Sequence, residues 1–378
     1  MRLRWLLALA AAAALVVGGV AIASQSSPSA TVIAVPEASA GEPEVEQAQV
    51  AQAPDAISRL SDKKLAARVI FGCVDSNNYS AQRGMAKRGF GGIVLLGASP
   101  PSDLKSRLAS IQRAAKEHQP VIASDEEGGV VQRLGSLLGD LPSAETMGTW
   151  SDSRLRRTAA AYGAKMARLG VGMSLAPVAD LRVPGSYLDR DNRAFSTDPA
   201  TVGRKVVAWS QGLQRAGVVP VVKHWPGHGH AANTHVTAAT VPPLSQLRRA
   251  DLVPFGYAVD KGVDVVMVAH VQSKGLTRSG EPATQSRKAM RKLRKQLGDD
   301  VVVVTDSLSM AAASSARGLS PAQAAVKSLK AGVEWAMVCS DNYSSVHAAV
   351  RSGLRSGSLD REALEASARR IDTVLARS

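Results

Sequence analysis

The segment Val218–His235, VVPVVKHWPGHGHAANTH, concentrates the residues best suited to chemistry. An apolar run, Val218 to Val222, gives way to Lys223 and His224, a Pro226-Gly227 turn, and then His228, His230 and His235. Four of the seven histidines of the chain fall here, so scattered packing histidines explain the stretch poorly. A short apolar run that empties into a polar, Gly-rich loop reads as a buried parallel strand and its carboxyl end. In barrels and open α/β sheets the reacting groups sit at such ends.

Other strands deliver comparable residues. Asp125 and Arg133 lie in DEEGGVVQR after Pro120–Ser124, and Asp180 ends Ser174–Leu181. Asp189, Asp191 and Arg193 follow in the next loop. His270 ends Val263–His270, and Asp306 ends the valine run of VVVVTDSLSM. Asp341 follows Val333–Cys339. A single such residue could be a cap or a solvated turn, but the opposite strand ends begin without them.

The most direct use of this set is sugar chemistry. A fixed carboxylate after four valines, Asp306, can attack or stabilise an oxocarbenium-like centre. Asp125, Arg193 and Lys223 offer charged hydrogen bonds to hydroxyls. A loop histidine can protonate a leaving oxygen, because its pKa lies near neutrality. Two other chemistries fit less well. His228-Gly229-His230 could ligate zinc, but both cysteines lie far from that loop in sequence, and no metal is expected. No G-x-S-x-G elbow is present for a serine hydrolase.

The elements that must position these residues alternate regularly from Ala56 onward. Strands are expected at 69–74, 91–97, 120–124, 174–181, 218–222, 263–270, 301–305 and 333–339. Helices are expected at 80–88, 102–117, 151–169, 198–217, 244–262, 287–297, 320–331, 344–355 and 360–377. Asp198 and Pro199 provide an N-cap and a first-turn proline. Most strands are continuous apolar runs, which implies cover on both faces and a parallel sheet. Eight β-α units predict an α/β fold of the (β/α)₈, TIM-barrel type. The segment DSNNYS after the first strand lacks the Gly-rich loop of a dinucleotide-binding sheet.

At this point the residues resemble a known family. DEEGGVVQR, NRAFSTDP, KHWPGHG with its later histidine, MVAHV and TDSLSM follow the order found in family 3 glycoside hydrolases. They are most similar to the single-domain bacterial β-N-acetylhexosaminidases, over roughly 56–378. The resemblance implies that Asp306 is the nucleophile of a retaining mechanism and that His235 is the general acid and base. It implies substrate contacts from Asp125, Arg133, Arg193, Lys223 and His224, with no cofactor. The implied substrate is an N-acetylglucosamine-terminated wall or chitin-type saccharide. One departure stands out. The family pairs its histidine with an acidic residue two positions earlier, and here that position is Asn233. Asn233 can orient the ring through its carbonyl but supplies no charge. Slow hydrolysis, compensation by His230 or another acid, or phosphorolysis with an anionic co-substrate would each be consistent with it. A wall-sugar binder that has lost catalysis and a β-glucosidase of the same family are the rival readings.

Composition places this chemistry. The 378 residues carry a formal charge of +14. The basic residues are spread over helical stretches, with few aromatics for base stacking, so no nucleic-acid partner is expected. A surface drawn to anionic polymers fits equally well. Residues 1–23 read as a signal peptide, with Arg2 and Arg4 before an uncharged run and Ala21-Ile22-Ala23 at its end. The run at 6–23 is long enough for an uncleaved membrane anchor as the alternative. Residues 24–55 read as a disordered linker rich in Ala, Ser, Pro, Gln and Glu. An exported, extracellular or wall-associated monomer is expected. Cys73 and Cys339 are read as two buried thiols, with a disulfide as the alternative that export permits.

Overall fold

The computed structural model describes residues 56–116, 118–339 and 343–377. The expected signal or anchor, the linker and Asp341 lie outside the described residues. The parallel strands are β1 (Ile70–Asp75), β2 (Gly92–Leu96), β3 (Val121–Ser124) and β4 (Met173–Ser174). They continue with β5 in two pieces (Val219–Pro220 and Val222–Trp225), β6 (Val265–Val268), β7 (Val302–Thr305) and β8 (Ala336–Val338). Pairing runs β8-β1-β2-β3-β4-β5, and then β5-β6-β7. A bridge between Val304 and Trp335, with the Thr305 N–H donating to the Trp335 carbonyl, joins β7 to the start of β8. The order of neighbours thus returns to its start, as in a (β/α)₈ barrel.

Although the strands are apolar throughout, their residues divide between two cores by the period of two. Phe71, Val94, Val221, Val265, Met267, Val302, Val304 and Met337 pack together inside the barrel. Ile70, Ile93, Val222, Val266, Val268 and Val303 face the surrounding helices. Phe71 stacks on Trp335 with ring centroids 4.6 Å apart. Ile371 and Val374 of the C-terminal helix, Arg361–Ala376, join the inner cluster. Arg370 and Arg377 of the same chain end pair with Glu334 and Asp264, just ahead of β8 and β6. The amino-terminal end of the barrel is therefore plugged, and only the carboxyl end is left to hold a site.

Three expectations are corrected and one helix is added. The fourth strand is far shorter than 174–181, because Pro177 cannot donate to a ladder. Past Ser174 the pairing continues irregularly, through a bridge between Val178 and Lys223 and the bond from the Lys223 N–H to the Pro177 carbonyl. The fifth strand extends beyond Val222, so Lys223 and His224 lie on the strand and not in the loop. Trp225, fully buried and paired with Val268, holds that extension in place. The helix expected at 244–262 is two, Leu244–Leu247 and Val253–Asp260, the second opened by Pro254. A helix that the alternation does not reveal, Asp62–Arg68, precedes β1.

Cys73 and Cys339 form a disulfide rather than two thiols. Because β1 and β8 are neighbours, the link ties the first barrel strand to the residue following the last. It closes a loop of 266 residues in sequence separation. Restriction of so long an unfolded chain stabilises a fold by roughly 2–5 kcal/mol. Accordingly, Cys73→Ser should lower the urea midpoint by that equivalent without changing the denaturant slope of the folded baseline, and reductant should do the same to the parent. Identical midpoints with and without reductant would show that the link contributes nothing.

Candidate active site

A cavity of about 440 Å³ opens at the carboxyl ends of the strands. Val94, Leu175, Met267 and Met337 form its apolar lining, and seven residues expected from the sequence share it: Asp125, Arg133, Arg193, Lys223, His224, His235 and Asp306. Glu127, which was not among them, lines it as well. The Lys223 ammonium donates to Asp125 Oδ1 at 2.7 Å and lies 2.6 Å from Glu127 Oε1. Arg193 grips Glu127 with two parallel bonds, Nε to Oε2 at 2.8 Å and a terminal nitrogen to Oε1 at 2.9 Å. Arg133 stands 3.7 Å from the other oxygen of Asp125. Burial would raise the Glu127 carboxyl, but Arg193 and Lys223 hold it well below the usual range. Burial would likewise lower Lys223, and the two carboxylates raise it instead.

The loop that carries these carboxylates is itself fixed by Glu126. Its Oε1 accepts from Ser124 Oγ at 2.6 Å and from the Arg133 and Leu134 N–H groups, and Oε2 accepts from the Tyr162 hydroxyl. A short hairpin, Glu126–Gly128 against Val131–Gln132, follows. At Gly128, with φ of +88°, an added Cβ would meet the Pro142 carbonyl at 2.2 Å. The double glycine of DEEGG is therefore a requirement of close backbone approach.

Asp180 organises the opposite wall. It is fully buried and accepts from the His224 ring at 2.6 Å and from the His228 N–H at 2.6 Å. Burial would raise its pKa, and the two histidines bring it below the ordinary value. The peptide bonds Lys223–His224 and Trp225–Pro226 are cis. His228, lowered to about 4 by burial, is neutral near pH 7 and meets the Thr234 hydroxyl at 2.9 Å. His228 thus braces the loop. His230 turns away toward Asp251, 3.9 Å off, and does not line the cavity.

Asp306 is set by the barrel ladder, since its N–H donates to the Val268 carbonyl. Its Oδ1 accepts from the Ser307 N–H at 2.7 Å. His270 donates from Nε2 to the Ser307 carbonyl, and its Nδ1 meets the Thr284 hydroxyl at 2.9 Å, bracing the turn after β7. Burial lowers the His270 pKa, against the opposing pull of Asp306 and the Ser307 carbonyl. At Asp306 burial works against ionisation. The imidazoles of His224 and His270, the Ser307 N–H and Lys223 outweigh it, leaving a pKa of about 2.

His235 is exposed and borders the same cavity. Among the described residues its imidazole has no hydrogen-bond partner. Asn233 does not orient it, contrary to expectation: its Oδ1 accepts from the His235 backbone N–H at 3.0 Å. A short amide side chain two residues ahead satisfies the nearest backbone donor, as in an Asx turn.

Residues 56–374 match the profile described as the glycosyl hydrolase family 3 N-terminal domain. The chain belongs to glycosyl hydrolase family 3. β-Hexosaminidase LpqI of Mycobacterium tuberculosis is 36% identical, over 98% of this chain and 97% of its own. A solved family 3 hydrolase of Mycobacterium smegmatis has a TM-score of 0.78 at 32% identity, covering 84% of this chain and 98% of its own. A β-N-acetylglucosaminidase of a Paenibacillus species has a TM-score of 0.78 at 28% identity, with 84% and 62% covered.

For this family 3 hydrolase the missed residues had faint signals. Glu127 lies two positions after Asp125, which alternation at a strand end would place on the same side. The same loop gives a test. A carboxyl depressed in the fold binds fewer protons folded than unfolded, so its contribution is full above the ordinary value of 4.5 and declines as pH falls below it. Breaking a buried pair costs about 3 kcal/mol or more. Glu127→Gln should therefore lose about that much stability at pH 7 in urea unfolding, with the gap to the parent narrowing below pH 4.5. A gap that stays constant down to pH 3 would show that the charge of Glu127 plays no part.

Proposed function

We propose that this family 3 enzyme is a retaining exo-β-N-acetylglucosaminidase acting on wall or chitin-type saccharides. The observation that carries the proposal is the place of Asp306 on the wall of the cavity that Asp125, Lys223, Arg193 and His235 share, where its neighbours favour the charged form. In this reading the Asp306 carboxylate attacks the anomeric carbon, and the bond to the leaving oxygen breaks as that oxygen takes a proton from His235. A glycosyl-Asp306 ester results. Water, giving its proton back to His235, then attacks the same carbon and releases Asp306. Asp125, Lys223, Arg193 and Arg133 hold the ring hydroxyls, and N-acetyl preference is drawn from the names of the relatives.

Action outside the cytoplasm is part of the proposal. The signal-like residues 1–23 support it, and so does the Cys73–Cys339 disulfide, a bond that persists in oxidising compartments. The neutral Asn233, committed to backbone, favours a second reading in which phosphate replaces water and leaves as a glycosyl phosphate.

Kinetics on p-nitrophenyl and unactivated N-acetylglucosaminides, with and without phosphate, separate these readings. Asp306→Ala should cut kcat/KM by on the order of 10⁴ or more on every substrate. His235→Ala should cost about 10²–10⁴ on unactivated glycosides and far less on p-nitrophenyl ones, whose leaving group needs no proton. Wild-type-like turnover by Asp306→Ala would overturn the mechanism. Sugar binding by calorimetry without turnover would make the protein a binder. In the pH profile, the acid limb should not reflect Asp306 above about pH 2, because the carboxylate stays ionised there.

A further inference from the structure

We propose that the cleft between helices Val253–Asp260 and Arg287–Leu297, on the outer wall of the barrel, is a second binding site whose ligand is a single-chain amphiphilic anion. The cleft encloses about 320 Å³. Its walls are apolar, formed by Leu244, Leu252 and Val253, with the buried Trp225 at its back. Three cations, Arg248, Lys292 and Lys295, stand on its rim. None of the three has a salt bridge among the described residues. An apolar trough ringed by unpaired positive charge matches a ligand with an aliphatic body and a phosphate or carboxylate head.

The helix behind this rim strengthens the argument. Arg287–Leu297, RKAMRKLRKQL, carries six cations and no acid. Of these, only Arg294 forms an ion pair among the described residues, with Glu334, and Arg287 donates to the Lys330 carbonyl. Its buried residues, Ala289, Met290, Leu293 and Leu297, account for its packing on the barrel, and Lys292 and Lys295 are not required for it. Fold stability therefore leaves their charge unexplained, whereas an anionic ligand uses it. At the other edge, Val253 is 41% exposed, an uncovered apolar side chain beside the same charges.

The space is real at the side-chain level. A Cβ added at Gly256 would find only Gln296 Nε2, at 3.8 Å. Gln296 itself holds the cleft in shape, accepting from Trp225 Nε1 at 3.2 Å and donating to the Leu252 carbonyl at 2.8 Å. Trp225 is the residue after His224 on β5, so the cleft backs onto the strand that supplies Lys223 and His224. Its far wall includes Leu252, next to Asp251, against whose side chain Gly227 packs. The site is distinct from the sugar cavity, which shares none of its residues.

Isothermal titration of the full-length chain with dodecyl phosphate below its micellar concentration tests the proposal. Saturable one-to-one binding is expected, with dodecyl maltoside and inorganic phosphate each much weaker. Lys292→Gln and Lys295→Gln should each weaken dodecyl phosphate on the order of tenfold. Gly256→Leu should abolish binding by filling the trough while leaving the charges in place. Equal binding of dodecyl maltoside would overturn the proposal, as would parent-like affinity in all three variants. Adsorption to anionic vesicles without binding of the monomer would assign the patch to a membrane surface, and would overturn it too.

Discussion

The structure depends on one buried arrangement of charge. Lys223 and Arg193 meet Glu127, and Lys223 also meets Asp125, in a site where Lys223 and Glu127 are buried. Placing any one of these groups there alone would cost several kcal/mol. Together they are two cations against two carboxylates, and each hydrogen-bonding atom that faces its neighbours is occupied. What remains is a set of donors and acceptors already oriented toward the cavity. Ligand hydroxyls then meet fixed dipoles instead of side chains that must first be ordered. The geometry of the DEEGG loop, the packing of Glu126 under it and the extension of β5 all serve to bring these four residues within reach of one another.

The same neutrality shapes the chemistry of Asp306. A carboxylate at a barrel mouth would normally be pushed toward protonation by burial. Here its surroundings are imidazoles, a backbone N–H and Lys223, which together keep it charged. His270 contributes in a second way, by holding the Ser307 carbonyl and so the turn that orients Oδ1. Position comes from the barrel ladder and charge from the neighbours, so a strand of four valines can present a charged group without a specific pocket of its own.

Much of this was legible in the residues and some of it was not. Continuous apolar runs separated by helical periods reveal the barrel, because burial on both faces leaves a direct mark on composition. Asp306 and Lys223 are legible because a charged residue directly after such a run has few structural uses. Element ends fail where proline intervenes, as at Pro177 and Pro254, or where one large side chain such as Trp225 lengthens a strand. Glu127 was passed over because three consecutive acids look like a solvated loop until Arg193, 66 residues away, is seen to pair with it. The cysteines are ambiguous in sequence for another reason. The expected barrel makes β1 and β8 neighbours, but each cysteine also reads as a buried small residue, and composition does not decide between two thiols and a bond.

The histidine loop shows where backbone and side chain part company. Its base is fixed by Asp180, which takes the N–H of His228, and by Thr234 against the His228 ring. Its tip is fixed too. The Asn233 carbonyl holds the His235 N–H, while the N–H groups of Ala311 and Ala312 donate to the His235 and Thr234 carbonyls. The main chain around His235 therefore has little freedom to move. The imidazole, exposed and without a partner among the described residues, keeps its own. Under the proposed mechanism the proton is then delivered by rotation about the side-chain bonds and not by closure of the loop. An acid held this loosely spends only part of its time facing the leaving oxygen, and among the described residues no carboxylate pairs with the imidazolium that forms on the return step. In that reading both effects fall on kcat and neither on sugar binding, which the proposal assigns to the Lys223 network. Weak catalysis and firm recognition can thus coexist in one cavity, because different elements of the barrel supply them.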